Sequence, residues 1–167
     1  MSIKYRKILV TLDGSPFASQ VVPYAESFAR SVGADLLLLR VVPERTPMGS
    51  TVALAEAVRY TTQPLRADEG MANQEQMHDI QNAEKSLQPV VDRLTRNGVH
   101  ARSVVGVGKP AQQIVDMAEE EDVDVIVMCT HGRAGLTHLV YGSVAEDVLH
   151  HAPCPVLLIR PEVDDLN

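Results

Sequence analysis

Apolar and polar residues alternate along the chain in blocks that predict strands and helices in turn. A short β-rich run, Lys7 to Leu12, precedes Asp-Gly-Ser-Pro, where Ser15 can cap a helix and Pro16 fits its first turn. That helix is predicted to reach Gly33, a residue suited to a left-handed cap. The apolar run from Ala34 to Val42 is typical of a strand covered on both faces. The chain therefore opens as strand, helix, strand.

The alternation resumes after an irregular segment. Residues 43–70 are rich in turn-forming residues around a modest helical patch at 52–59, and we expect a variable excursion there. Helical spacing follows over residues 72–97, with an apolar stripe formed by Ile80, Ala83, Leu87, Val90, Val91 and Leu94. The remaining predicted elements are strand Ala101–Val107, helix Pro110–Glu120, strand Val123–Cys129, helix Ser143–His151 and strand Pro155–Arg160.

Regular alternation of strands and helices predicts the α/β class with a doubly wound parallel sheet. Right-handed crossovers place the helices on both faces of such a sheet. Its ligands bind beyond the carboxyl ends of the strands, at the topological switch point. A chain of 167 residues suits one domain, and we expect it to span residues 1–167.

Composition narrows the classes of partner. The 15 Lys and Arg residues are outnumbered by 22 Asp and Glu residues, giving a net charge of -7, so we expect no nucleic-acid partner. No apolar run approaches the roughly 18 residues of a membrane helix, so we expect no membrane contact and a cytoplasmic location. Cys129 and Cys154 form no metal-ligand pattern with His, and we interpret both as reduced thiols.

The clearest chemical signal follows the fourth predicted strand. A loop containing Gly132 and Arg133 leads to Gly142 and Ser143 at the start of a helix. Glycines let backbone amides approach an anion closely, and a helix amino terminus offers unpaired N–H groups and a favourable dipole. The pattern predicts a phosphate-binding site. The alternative is that the glycines only turn the chain while Ser143 and Glu146 form an S-x-x-E capping box.

Two other phosphate-binding patterns are excluded. Residues 106–111 fit G-x-G-x-x-A, but they lie in the third unit and no acidic residue ends the following strand, which argues against a dinucleotide fold. Gly108-Lys109 is followed by Pro110 instead of Ser or Thr, so a Walker-type nucleotide triphosphatase is not supported.

The chain resembles the universal stress protein family, whose motif is Gly, two residues, Gly, nine residues, then Gly-Ser or Gly-Thr. Here Cys129 replaces the first glycine, while Gly132 and Gly142-Ser143 keep the spacing. The Val-x-Glu-x-Val and Pro-Cys-Pro-Val sequences that follow the motif in this family are also present, at 144–148 and 153–156. The opening strand, which ends before Asp13, is similar as well.

The resemblance implies a Rossmann-like fold with strand order 3-2-1-4-5 and a site for ATP or another adenine nucleotide. Asp13 would hold the ribose or the adenine edge, or bind through Mg²⁺, and Val41 would line the adenine pocket. Met128 and Cys129 would pack against the sugar or base. The implied site residues are Thr11, Leu12, Asp13, Ser15, Val41, Gly106, Met128, Cys129, Gly132, Arg133, Gly142, Ser143 and Val144.

The family also implies a nucleotide-binding regulatory protein that forms a homodimer through the edge strand at 155–160. A slow ATP hydrolase or self-phosphorylating enzyme is the competing hypothesis, with Ser143 or Thr137 near the γ-phosphate.

A third hypothesis is a dimeric scaffold that has lost nucleotide binding, which the replacement of the first motif glycine by Cys129 makes conceivable. If that glycine supplied a positive φ, Cys129 would be strained by roughly 1 kcal/mol or more, whereas if it supplied only space, the small thiol would be accommodated. Because Gly132, Gly142 and Ser143 are intact, binding is the preferred hypothesis.

Overall fold

A parallel sheet organises the part of the chain described in this computed structural model, which comprises residues 4–45, 68–130 and 142–160. Its five strands lie in the order β3-β2-β1-β4-β5. The strands are β1 (Lys7–Thr11), β2 (Asp35–Val42), β3 (Ala101–Val107), β4 (Val125–Cys129) and β5 (Val156–Ile159). All neighbouring strands are parallel, which confirms the predicted fold class and strand order.

Helices cover both faces of the sheet. They are α1 (Pro16–Ser19), α2 (Val21–Val32), α3 (Asp68–Arg96), α4 (Pro110–Glu120) and α5 (Ser143–His151). The first three contribute buried residues to the core on one face, and α4 and α5 form the core on the other. Within the described ranges, no helix is long and apolar enough to cross a membrane.

Strands and helices bury the residues that their periodicity predicts. Ile8, Leu9 and Val10 of β1 are fully buried, as expected of a central parallel strand covered on both faces. Ala83, Leu87 and Leu94 of the predicted α3 stripe are buried as well. The hydrophobic pattern therefore determines which helix face meets the sheet.

The first helix differs from the prediction, because it is split at Gln20 into α1 and α2. Pro23 lacks an N–H and cannot donate the i to i−4 bond to the carbonyl of Ser19, which explains the break. Gly33 ends α2 in a left-handed conformation with φ of 71°, as predicted. The predicted helical patch at 52–59 lies outside the described residues.

Strand register brings three carboxyl ends together. Thr11 of β1 pairs with Leu39 of β2, and Val10 pairs with Val127 of β4. The chain leaves β1 toward α1, while β2 continues three residues farther, to Val42. A gap therefore opens above β1, which means beyond its carboxyl end and between β2 and β4. A doubly wound sheet binds its ligands at this position.

Charged side chains form hydrogen bonds and ion pairs at the amino ends of the strands, opposite the gap. One carboxylate oxygen of Asp124 accepts hydrogen bonds from the backbone N–H groups of Arg6 and Lys7, at 2.7 and 2.9 Å. Those bonds, that of Arg6 first, hold the pKa of the Asp124 carboxyl below its usual value. Glu121 pairs with Lys7 and Arg102 at the same edge.

Candidate functional site

A cavity of about 410 Å³ lies at the carboxyl ends of β1, β2 and β4. Its walls come from the ends of these strands, from α1 and α4, and from the first turn of α5. The lining residues are Thr11, Leu12, Asp13, Ala18, Leu39, Val41, Pro110, Ile114, Met128, Cys129, Thr130, Gly142, Ser143, Val144 and Ala145. Its volume lies in the range of roughly 300 to 1,000 Å³ that is typical of small-molecule sites.

The loop after β1 supplies a carboxylate to this cavity. An oxygen of Asp13 accepts the backbone N–H of Ser15 at 2.8 Å, and the Ser15 hydroxyl accepts the N–H of Ala18 at 3.1 Å. The second bond is the helix cap that the sequence predicts. Both contacts are local, so the short loop itself sets the direction of the Asp13 side chain.

The end of β2 forms the apolar side of the cavity. Leu12 donates its N–H to the carbonyl of Leu39 at 2.8 Å, on the β1 side, whereas Val42 accepts from Gly108 on the β3 side. Because these directions alternate along a strand, the N–H and C=O of Val41 point toward β1, beyond its last paired residue. The gap above β1 therefore receives one donor and one acceptor from the backbone.

Cys129 is the last residue of β4, which lies across the gap from β2. It is paired in register with Ile159, and among the described non-glycine residues only Asp122 has a positive φ. The thiol therefore occupies the first motif position without the strain that a positive φ would bring. Burial raises the pKa of the Cys129 thiol, and the charge of Asp13 raises it further, so the neutral thiol is favoured.

The first turn of α5 faces the cavity at the position predicted for phosphates. Gly142 is the cap residue, with φ of -59°, and the cap has no side-chain hydrogen bond. Ser143 is the first helical residue instead of the cap, so the capping box with Glu146, which was the alternative to a phosphate site, does not form. The exposed hydroxyl of Ser143 and the leading N–H groups of α5 therefore face the cavity together.

Most of the residues predicted for the site line the cavity. The structure brings together Thr11, Leu12, Asp13, Val41, Met128, Cys129, Gly142, Ser143 and Val144. Ser15 is next to the wall, as the cap of α1. Gly106 does not line the cavity, contrary to the prediction, and is buried beneath the side chain of Gln113. Gly132 and Arg133 lie outside the described residues.

Sequence reasoning did not identify several residues of the wall. They are Ala18, Leu39, Pro110, Ile114, Thr130 and Ala145. Leu39 is two residues before Val41, so strand alternation could have found it. Pro110 and Ile114 are four residues apart on α4 and share a helix face, but only the fold shows that this face reaches the cavity.

A doubly wound parallel sheet with a cavity at its switch point defines a Rossmann-like α/β protein. Comparison with known proteins then gives the family. The model of the "Universal stress protein family" matches residues 4–160. The chain belongs to the universal stress protein family.

Relatives cover nearly the whole chain. A universal stress protein of Methanothermobacter thermautotrophicus is 34% identical over 157 residues, 93% of this chain and 96% of its own. Universal stress protein MJ0577 of Methanocaldococcus jannaschii is 28% identical over 168 residues, 96% of this chain and 98% of its own. The solved structure of MJ0577 has a TM-score of 0.74 at 26% identity, covering 97% of this chain and 100% of that one.

Proposed function

We propose that this protein binds an adenine nucleotide in the cavity above β1 and acts as a nucleotide-dependent regulatory dimer. The observation that carries the proposal is the cavity itself, which is apolar at one end and lined by a helix amino terminus at the other. A nucleotide has the same polarity, with an aromatic base and an anionic phosphate chain.

The phosphate end is formed by the first turn of α5. Unpaired N–H groups and the helix dipole favour an anion there. Ser143 adds a hydroxyl, and Gly142 leaves room for close approach because it carries no side chain. We place the phosphates against these two residues and Val144.

The base end is formed by Val41 with Leu39, Pro110 and Ile114. Apolar side chains favour burial of a purine ring. The backbone donor and acceptor of Val41 fit the amino and ring nitrogens on the edge of an adenine. Asp13 then lies between base and phosphates, where a carboxylate can accept hydrogen bonds from ribose hydroxyls.

Two solved structures of the same fold provide a precedent for this class of ligand. A universal stress protein was solved in complex with cAMP, at 19% identity and a TM-score of 0.62. Another, from Archaeoglobus fulgidus, was solved in complex with dAMP, at 21% identity and a TM-score of 0.57. Both ligands contain adenine, which agrees with the base that we propose here. At this identity the likeness itself establishes the fold alone.

ATP with Mg²⁺ is the ligand that we propose. In the described part of the chain no three His, Cys, Asp or Glu side chains are grouped to hold a metal. Mg²⁺ is usually bound by one or two carboxylates together with substrate phosphates, and Asp13 fits that role at the cavity wall. The ion would neutralise charge between the carboxylate and the phosphates.

Regulation is preferred to catalysis because of the groups that line the cavity. Asp13 is the one carboxylate among the described lining residues, which include no histidine or lysine. With Asp13 holding the ribose or Mg²⁺, none of the described lining residues remains to activate a water molecule. We therefore propose that any hydrolysis is far slower than the typical turnover of about 10 per second.

The test compares ATP binding by the parent and by Gly142→Val using calorimetry. The φ of -59° at Gly142 is open to any residue, so valine keeps the backbone while its methyl groups occupy the phosphate end. We expect one ATP per parent chain and at least a tenfold loss of affinity in the variant.

Ala152→Val is the matched control. Ala152 caps the other end of α5 with φ of -60° and ψ of 132°, close to the dihedral angles of Gly142. It adds the same methyl groups away from the cavity, and ATP affinity should be unchanged. A parent that does not bind ATP would refute the proposed function, and unchanged affinity in Gly142→Val would refute the phosphate assignment.

A further inference from the structure

Thr11 places a hydroxyl-bearing side chain in the middle of an apolar row at the floor of the cavity. It pairs with Leu39 of β2, and Met128 of β4 stands at the same level on its other side, one residue beyond the last β1–β4 pair. Leu39 and Met128 are 1% and 3% exposed, and both belong to the core beneath α4 and α5. Leu9, two residues before Thr11, belongs to the same core, so strand alternation places Thr11 on this face.

The hydroxyl of Thr11 forms no hydrogen bond with the described residues, although the side chain is half-buried. Valine has nearly the same shape and would continue the apolar row. An unpaired hydroxyl among apolar side chains costs free energy unless a ligand or water satisfies it. Since Thr11 lines the cavity, its hydroxyl is available to a ligand held there.

The backbone of Val41 does not by itself distinguish adenine from cytosine. Both bases present an amino donor beside a ring-nitrogen acceptor, so one backbone donor and one backbone acceptor fit either of them. Apolar side chains favour the burial of both. Selection of adenine over cytosine therefore requires a contact with the part of the purine that cytosine lacks, which is the five-membered ring.

The position of Thr11 suits that second ring. Neighbouring strands are about 4.8 Å apart and a hydrogen bond spans about 2.9 Å, so an adenine that bonds Val41 of β2 by its amino edge extends across the end of β1. Its five-membered ring then lies above β1, where Thr11 lines the cavity. The free nitrogen of this ring is N7, because N9 carries the sugar. N7 accepts a hydrogen bond, and a hydroxyl donates one.

We propose that Thr11 is a specificity-determining residue that selects purines over pyrimidines by donating a hydrogen bond to N7 of the bound base. This inference rests on the proposed function, because it requires a nucleotide in the cavity. Val41 and Thr11 then have separate roles. Val41 separates adenine from guanine, whose edge has donor and acceptor exchanged, and Thr11 separates adenine from cytosine.

Calorimetry with ATP and CTP tests this role. The parent should prefer ATP. Thr11→Val keeps the shape and removes the hydroxyl, so ATP affinity should fall about fivefold, as expected for one hydrogen bond, while CTP affinity stays at the parental value. Thr11→Ser keeps a hydroxyl and should retain most of the preference for ATP. Thr95→Val makes the same change at an exposed position in the last turn of α3, and it should alter neither affinity.

7-Deaza-ATP, in which a C–H group replaces N7, tests the same hydrogen bond from the side of the ligand. The parent should bind it about fivefold more weakly than ATP, because N7 no longer accepts the bond. Thr11→Val should bind the two nucleotides equally, since the bond is already absent.

Three results would overturn the role of Thr11 while leaving the proposed function intact. They are a parent that binds ATP and CTP equally, a Thr11→Val variant that keeps parental ATP affinity or loses ATP and CTP affinity alike, and a Thr11→Val variant that still prefers ATP to 7-deaza-ATP. A parent that binds none of these nucleotides would overturn the proposed function together with this inference.

Discussion

Gly14 sits at the contact between the Asp13 loop and the neighbouring strand. Its φ is +85°, and a Cβ there would lie 2.6 Å from Nη2 of Arg40. The Arg40 guanidinium thus packs against the backbone of Gly14, while its Nη1 donates to the hydroxyl of Ser86 on α3 at 2.6 Å. The loop that presents Asp13 is therefore braced against α3 through Arg40.

Gly14→Ala should lower stability by about 1 to 1.5 kcal/mol, because a left-handed alanine costs about 1 kcal/mol and moving the flexible Arg40 guanidinium away from its exposed bond to Ser86 adds at most about 0.5 kcal/mol. Gly33→Ala is the matched control, since its φ is +71° and nothing lies within 4 Å of its Cβ position. It should cost only the backbone part, about 1 kcal/mol. Equal losses in urea unfolding would contradict the bracing by Arg40.

Individual residues show how far the sequence alone could lead. Gly142 and Ser143 could be predicted for the site because glycine and a hydroxyl at the start of a helix favour a phosphate. Asp13 could be predicted because the opening strand resembles that of the family. The bonding of Arg40 to Ser86 could not, because the two are 46 residues apart and no local pattern relates them. The alternative of a capping box between Ser143 and Glu146 is not formed, since S-x-x-E requires Ser at the cap and Gly142 holds that position.

At the scale of elements, Asp124 connects β1 and β4 at the amino ends of the strands, opposite the cavity. It precedes β4, and its carboxylate accepts the N–H groups of Arg6 and Lys7 at the start of β1. The apolar runs of the sequence predict both strands, because buried parallel strands are continuously apolar. They do not predict the hydrogen bonds of Asp124 to β1, because an Asp before a strand can bond in many other ways.

Asp124→Ala should destabilise the fold by about 1 to 2 kcal/mol at neutral pH, because two backbone donors lose their acceptor. Asp124→Asn keeps an acceptor oxygen and should lose less. The folded pKa of Asp124 is lowered, so its stabilisation is present above the unfolded pKa of about 3.9 and is lost as the pH falls through the folded value.

The difference in unfolding free energy between the parent and Asp124→Asn should therefore shrink below about pH 4. Chemical denaturation between pH 7 and pH 3 measures it. A difference that stays constant over that range would show that the charge of Asp124 contributes nothing to the connection between β1 and β4.

At the scale of the whole molecule, β5 ends the sheet and bears on assembly. The carbonyl of Pro155 accepts from Ile126 of β4, and that of Ile159 accepts from the residue just after β4. By alternation, the N–H and C=O of Val156 and Leu158 therefore point outward. Leu157 is 40% exposed. An apolar edge with outward backbone groups can pair with a second copy, antiparallel about a two-fold axis.

Leu158→Pro should convert the proposed dimer to monomer, because it removes an outward N–H and adds a ring at the seam while leaving the bonds to β4 in place. Leu158→Ala keeps the N–H and should weaken the dimer less. Sedimentation at tens of micromolar measures both. A monomeric parent, or a Leu158→Pro variant that remains dimeric, would place the interface elsewhere or remove it.

The central claim is that an adenine nucleotide occupies the cavity above β1. Amide chemical-shift mapping by NMR tests it most directly, because each backbone N–H reports its own surroundings during an ATP titration. The largest saturable shifts are expected at the cavity, on Asp13, Val41, Ser143 and Val144. Amides at the amino ends of the strands, such as those of Arg102 and Asp124, should stay unchanged. No saturable shift, or shifts centred away from the cavity, would contradict it.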